Sequence, residues 1–156
     1  MSTPAHVERA VDSVLGTLLN YYTPELVHQV QAAGLRPDDL NTDRSRILYR
    51  AILALHRDGS HVDPLTVEAF LHRHGLTDRC TRAYMELLAV SAVPSAVREH
   101  ARMVAEEGAW VRRHRALEGA LEALLARDEA RFWDEIGRVR EDVSGVELRV
   151  VNGEAA

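Results

Sequence analysis

Apolar residues recur at helical spacing from residue 6 to residue 90 of the chain. Val7, Ala10, Val14 and Leu18 follow one another at steps of three or four residues, which is typical of a helix with one apolar face. The same period predicts five short helices, over residues 6–20, 24–33, 43–57, 64–74 and 79–90. Helical patterns dominate the chain, and the predicted fold class is all-α.

Proline and glycine mark where these helices begin and end. Proline stands at or near a predicted first turn, beside a residue that can cap a helix, in Thr23-Pro24, Asp63-Pro64 and Val93-Pro94-Ser95. Glycine follows the end of an apolar periodic stretch at Gly34, Gly59 and Gly75. These boundaries predict a globular bundle of about five or six short helices.

After residue 94 the chain contains no further proline and follows one long helical pattern of charged and aliphatic residues. Val97, Ala101 and Val104 begin a four-three spacing, which Leu117 and Leu121 resume one residue out of phase. A bend or a change of packing partner near residues 112–116 would explain this shift.

Residues 127–129 form the one plausible turn in the rest of the chain, with Asp128 able to cap the helix that follows. This turn predicts an antiparallel helical hairpin. The residues after Ser144-Gly145 are too few for a further structural element to be predicted. We therefore predict a globular helical head over residues 1–105, a hairpin over 106–143, and a tail or linker over 144–156.

The chain contains no lysine, because all 19 residues of its Lys+Arg count are arginines. A P-loop needs a lysine ammonium at the β- and γ-phosphates, and Schiff-base chemistry needs a lysine amine. Neither a G-x-S-x-G elbow nor a glycine-rich phosphate loop occurs. We expect no catalytic residue, no cofactor and no enzyme activity.

Cys80 is the single cysteine, so the chain can complete neither an internal disulfide nor a cysteine-based zinc site. The densest group of metal-ligand types, His72-Arg73-His74 with Cys80, places its histidines about 200° apart on a helix, and we expect no metal site. One cysteine suits a reducing compartment, and no apolar run approaches the ~20 residues of a membrane span. The expected location is the cytoplasm, without membrane contact.

The formal net charge of −5 argues against nucleic-acid binding as the main role, because phosphate binding depends on clustered positive charge. One basic cluster exists, at Arg112, Arg113 and Arg115. A solvated helix face is the simpler interpretation, and direct DNA binding is not expected. A nucleic-acid-binding module built on these three arginines is the alternative.

Trp110 and Trp133 lie on the two arms of the predicted hairpin. Each could pack on the partner helix or anchor a contact with another chain. Because a two-helix arm leaves part of its apolar stripe uncovered, we predict a protein interface on it. The residues predicted for this interface are Trp110, Leu117, Leu121, Leu125, Trp133 and Ile136.

Three segments of the chain form a recognisable series. Residues 8–19 have an E-x-x-x-x-x-V-L-G-x-L-L character, and residues 46–59 form a helix with a glycine turn that V-D-x-x-T-V follows at 62–67. The third segment combines residues 84–88, Val93-Pro94-Ser95 and 101–104 with Arg112-Arg113. Together they resemble the N-terminal domain of DnaB-type replicative DNA helicases, over about residues 7–143.

The resemblance implies the helical head and hairpin that form the helicase ring collar and dock primase, free-standing without the RecA-like motor domain. Helicase ATPase activity would then require a motor supplied in trans. The expected function is a non-catalytic protein–protein interaction module of DNA replication. The expected partners are a second copy of the chain, as a dimer or larger assembly, and a replicative helicase, primase or helicase loader. A general helical adaptor unrelated to replication is a further alternative.

Overall fold

The computed structural model describes the backbone of residues 2–154 and the side chains of residues 2–142. Every regular element within these residues is helical, which confirms the all-α fold class. The α-helices are α1 (Ala5–Asn20), α2 (Pro24–Ala32), α3 (Asp43–Arg57), α4 (Pro64–Arg73), α5 (Arg82–Ala89), α6 (Val97–Leu125) and α7 (Glu129–Glu154). Single 3₁₀ turns occupy Pro37–Asp39 and Pro94–Ala96.

Side-chain caps determine where four of these helices begin. Thr23, Thr42, Asp63 and Thr81 each accept a hydrogen bond from the backbone amide three residues later. The cap at Thr81 explains why α5 begins at Arg82, whereas the apolar period predicts a start at residue 79. Gly34, Gly59 and Gly75 follow α2, α3 and α4 with φ values of 88°, 72° and 66°. The predicted helix ends are therefore confirmed.

Helix α1 lies at the centre of the head, against α2, α3 and α5. Leu15 and Leu18 on this helix have no exposed surface, and they belong to the main hydrophobic cluster. The crossing with α5 is tight at Gly16, where a Cβ atom would overlap the backbone carbonyl of Leu88. The absence of a side chain at Gly16 lets the two helix backbones approach each other.

The beginning of α6 is part of the head. Val97, Ala101 and Val104 are buried in the same hydrophobic cluster as α1. Just before α6, Thr17 Oγ1 on α1 accepts a hydrogen bond from the amide of Val93 at 3.0 Å. The first compact unit of the chain, Met1–Glu107, therefore ends two residues beyond the predicted boundary at residue 105.

The second compact unit, Gly108–Ala156, contains the remainder of α6 together with α7. Arg112 of α6 pairs with Asp142 of α7, and Glu122 pairs with Arg131. The residue number on α7 falls as the number of its partner on α6 rises. The two helices are therefore antiparallel, and the predicted hairpin is confirmed. Between them, Arg127 has a φ of 56° and Asp128 accepts a hydrogen bond from the amide of Arg131 at 3.0 Å.

The structure differs from the prediction of a tail from residue 144 onwards, because α7 continues as a helix to Glu154. A single interior glycine such as Gly145 costs a helix only about 1 kcal/mol relative to alanine, and no proline follows it. Residues 155 and 156 of the predicted tail lie outside the described residues. None of the helices in the described part of the chain has the length and apolar character of a membrane span.

Candidate protein-interaction surface on the hairpin

The side of α6 that faces α7 is lined by alanine. Ala109, Ala116, Ala120 and Ala123 are all buried. At about 100° of rotation per residue, these four positions fall within an arc of roughly 60°. Small side chains allow two helices to pack closely, so this seam needs no large aliphatic residue from α6.

The large apolar residues of α6 lie on a neighbouring side of the helix and are exposed. Trp110, Leu117, Leu121 and Leu124 occupy the adjacent arc of roughly 60°. Between 53% and 64% of each residue is open to solvent, and Leu125 beside them is 77% exposed. The α6 arm thus presents a continuous apolar stripe that α7 does not cover.

Helix α7 contributes aromatic residues to the same side of the hairpin, near its turn. Leu124, Phe132 and Trp133 line one shallow depression of about 390 Å³ there. The Phe132 and Trp133 rings meet edge to face, with centroids 5.1 Å apart. Trp133 is 61% exposed, whereas Ile136, one turn further along α7, is half-buried.

We define the hairpin surface by the residues that form this side, which are Trp110, Leu117, Leu121, Leu124, Leu125 and Trp133. Five of the six residues predicted for an interface are therefore exposed, and Ile136 is the half-buried exception. The residue of this surface that the predicted set lacks is Leu124. Leu124 had a detectable signal, because it stands three residues after Leu121 and seven after Leu117, on the same helical face.

Several charged residues of the hairpin pair with one another. Arg131 contacts Glu122 at 3.0 Å, and Arg138 contacts Asp134 at 2.8 Å and Glu135 at 3.1 Å. Ion pairs of this kind near the protein surface add little stability.

The three arginines of the basic cluster do not form one exposed patch. Arg112 donates from Nε and Nη2 to Asp142 Oδ1 at 3.2 and 3.1 Å, and Arg113 Nε lies 3.6 Å from Asp142 Oδ2. The side chain of Arg113 is only 16% exposed, and its guanidinium lies 5.3 Å from the centre of the Trp110 ring. Arg115 is the exposed member of the cluster.

The head contains one pairing that resembles a catalytic dyad, in which Ser13 Oγ lies 2.8 Å from His100 Nδ1. Ser13 is 4% exposed, so no substrate can reach it, and the pair instead ties α6 to α1. Burial also raises the pKa of the Cys80 thiol to about 11, which makes it a poor nucleophile. Among the described residues, no group of His, Cys, Asp and Glu side chains is placed to hold a metal ion.

Comparison with known proteins finds similarity to one family. The family model described as the DnaB-like helicase N terminal domain matches residues 3–106. Among solved structures, the N-terminal domain of DnaB helicase from Mycobacterium tuberculosis is similar, with 26% sequence identity and a TM-score of 0.71. That match covers 81% of this chain and 96% of the mycobacterial one. No curated protein matches the chain at a significant level.

Proposed function

Because this chain belongs to the DnaB-like helicase N-terminal domain family, we propose that it is a non-catalytic protein-interaction module of DNA replication. Its main contact is with a second copy of itself, made through the hairpin surface. We propose a non-catalytic role because these residues lack the lysine that a P-loop requires. Any ATP hydrolysis would need a motor outside these residues, and the proposed location is the cytoplasm.

The exposed apolar stripe of the hairpin carries this proposal. Folded monomers rarely expose a contiguous set of large apolar side chains, and such sets mark sites of protein contact. Tryptophan is also enriched among the residues that supply most of the binding energy at interfaces, and the hairpin surface exposes two tryptophans. A stripe of this kind on two copies can pair with itself in a twofold-symmetric dimer, because both partners then use the same patch.

The wider partners in the proposal are a replicative helicase, primase or a helicase loader. Family membership supports this class of partner. The nucleic-acid alternative is less favoured, because Arg112 and Arg113 pair with Asp142 and leave Arg115 as the exposed member of the cluster. A general helical adaptor would self-associate without any replication partner, which a pull-down with purified helicase and primase distinguishes.

Sedimentation velocity on the double variant Leu117→Ser/Leu121→Ser tests the self-association. We expect the wild type to form a dimer or larger assembly and the variant to sediment as a monomer. A matched control is Leu65→Ser/Leu87→Ser on the head, where both leucines are at least as exposed as the hairpin pair. The control variant should associate like the wild type.

The expected size of the effect follows from the apolar area removed. Losing roughly 1 kcal/mol of burial at each of four leucines in a dimer weakens association by about 4 kcal/mol, or about a thousandfold in Kd. Emission from Trp110 and Trp133 should shift to shorter wavelength as the wild type associates. A wild type that stays monomeric at high concentration, or a hairpin variant that associates normally, would overturn the proposal.

A further inference from the structure

A second surface lies on the head and involves none of the hairpin. A groove of about 510 Å³ runs along the outer side of α3 and is closed on one side by α4 and the segment that follows it. Four arginines line this groove, which are Arg46, Arg50, Arg57 and Arg79. Asp43 is the single acidic residue among its lining residues. A chain of net charge −5 thus concentrates positive charge at one place on its head.

The arginines of α3 form a row. Arg46, Arg50 and Arg57 stand at positions i, i+4 and i+11, which keeps them along one side of the helix. At 1.5 Å of rise per residue the row is about 16 Å long, which is the length of three helical turns. Arg79, from the segment before α5, extends the positive charge across the groove.

Two of the four arginines already have acidic partners. Arg79 makes a bidentate contact to Asp43 at 2.9 and 2.7 Å, which holds the pKa of that carboxyl below its usual range. Arg50 donates to Asp38 at 3.0 Å. Their charges are therefore largely balanced within the head.

The other two arginines are not balanced in this way. Arg46 donates to the backbone carbonyl of Leu40 at 3.2 Å. It helps to lower the pKa of Asp43, but the carboxylate of Asp43 makes its direct contact with Arg79. Among the residues that the structure describes, neither Arg46 nor Arg57 makes a hydrogen bond or an ion pair with a carboxylate. The groove therefore carries two guanidinium groups that a partner's carboxylates could contact directly, one near each end of the row.

The floor of the groove is apolar. Leu53, Phe70 and Leu76 are half-buried, and they pack against the hydrophobic core from the groove side. One face of the Phe70 ring is covered by His74, with ring centroids 4.1 Å apart and an interplanar angle of 26°. Apolar side chains from a partner could still cover the exposed parts of this floor.

We propose that this groove binds an amphipathic helix of about three turns, with acidic residues along its edges, from a partner protein. The apolar side of that helix covers Leu53, Phe70 and Leu76, and its carboxylates pair with Arg46 and Arg57. Charge complementarity and the apolar floor together favour this occupant. A nucleic-acid strand fits less well, because His74 occupies a stacking face of Phe70 and a strand of phosphates gains nothing from aliphatic side chains.

A peptide-display selection tests the proposal without the natural partner. The library consists of peptides of about 12 residues, with leucine fixed at i, i+3, i+4 and i+7 and every other position randomised. Peptides selected on the wild-type protein should be enriched in Asp and Glu. In fluorescence anisotropy they should lose at least about tenfold in affinity for Arg46→Gln/Arg57→Gln and weaken as salt is raised.

The matched control is Arg9→Gln/Arg98→Gln, which removes the same charge from exposed arginines outside the groove. The control variant should bind the selected peptides like the wild type, and circular dichroism should show that both variants fold. Three results would overturn the proposal. They are selected peptides without acidic enrichment, equal affinity for Arg46→Gln/Arg57→Gln, and binding of a labelled oligothymidine through these arginines in place of the peptides. Because no hairpin residue is altered, the outcome is independent of the self-association test.

Discussion

Gly16→Ala tests the closest approach in the head. Gly16 lies in the interior of α1, and the Cβ of an alanine there would overlap the carbonyl of Leu88 in α5. The obstructing atoms belong to the backbone, so no side-chain rotation can relieve the overlap. Helix α5 itself must move away from α1, which opens the core between the two helices.

The expected magnitude is the balance of two opposing effects. Alanine stabilises a helix interior by about 1 kcal/mol relative to glycine. Overpacking a well-packed core typically costs about 1–3 kcal/mol and sometimes more. Because the clash is with a backbone, we expect a cost in the upper part of that range, about 2–3 kcal/mol, and therefore a net loss of about 1–2 kcal/mol in the free energy of unfolding. For a domain of this size, such a loss lowers Tm by roughly 4–16 °C.

The aromatic residues allow the two units of the chain to be followed separately. Both tryptophans, Trp110 and Trp133, lie in the hairpin unit, and all four tyrosines lie in the head. In urea or thermal unfolding, near-ultraviolet circular dichroism of the tyrosines reports the head, while tryptophan fluorescence reports the hairpin. We expect Gly16→Ala to shift the tyrosine transition.

Gly137→Ala is a control that should raise the free energy of unfolding, whereas Gly16→Ala should lower it. Gly137 lies inside α7, and an added Cβ there meets no atom within 4 Å. Without a clash, the helix-propensity gain of about 0.5–1 kcal/mol should stabilise the hairpin transition. The Gly16→Ala variant itself could refute the reasoning. If its tyrosine transition occurs at the same urea concentration as that of the wild type, or at a higher one, the inferred close approach of the α1 and α5 backbones is wrong.

The remaining predictions concern three buried or partly buried groups. Asp142→Asn removes the carboxylate shared by two partly buried guanidinium groups, so the free energy of unfolding of the hairpin should fall by about 1–3 kcal/mol. The tryptophan transition should then occur at a lower urea concentration, and an unchanged transition would contradict the ion pair. With the pKa of Cys80 raised to about 11, roughly one thiol in a thousand is ionised at pH 8, so iodoacetamide should modify the folded protein far more slowly than the urea-unfolded protein. Because this pKa is higher in the folded state than its ordinary value of 9.0, its stabilising contribution is complete below that pH. The contribution is lost as the pH rises from about 9 towards 11, so Tm should fall in that window. Thr17→Val leaves the amide of Val93 without its acceptor and should cost about 1–3 kcal/mol in the tyrosine transition, whereas Thr17→Ser should stay close to the wild type.

The sequence was most informative where structure depends on neighbouring residues. Thr23 and Asp63 cap helices through amides only three residues away, and Gly59 ends a helix through its own backbone conformation. Such local contacts can be predicted from spacing alone. The apolar period predicts that α5 begins at residue 79, whereas the helix begins at Arg82. The side-chain cap at Thr81 determines this start more strongly than the apolar period does.

The candidate surface was only partly predictable. A two-helix arm cannot cover both sides of its apolar pattern, so exposed leucines and tryptophans were expected on it. The pattern did not predict that alanines such as Ala116 and Ala120 would form the seam and leave Leu117 and Leu121 in solvent. Both sets recur at helical spacing, and only the approach of α7 decides which of them is covered.

The sequence by itself determined the class of fold, the ends of most helices, the absence of lysine chemistry and the presence of a hairpin. Only the tertiary structure decided which charges are available. Arg112 pairs with Asp142, 30 residues away, and Arg79 crosses to Asp43, 36 residues away. Partners this distant in the chain meet only when whole helices pack together, and the same packing leaves Arg46 and Arg57 without a hydrogen bond or ion pair to a carboxylate in the described structure.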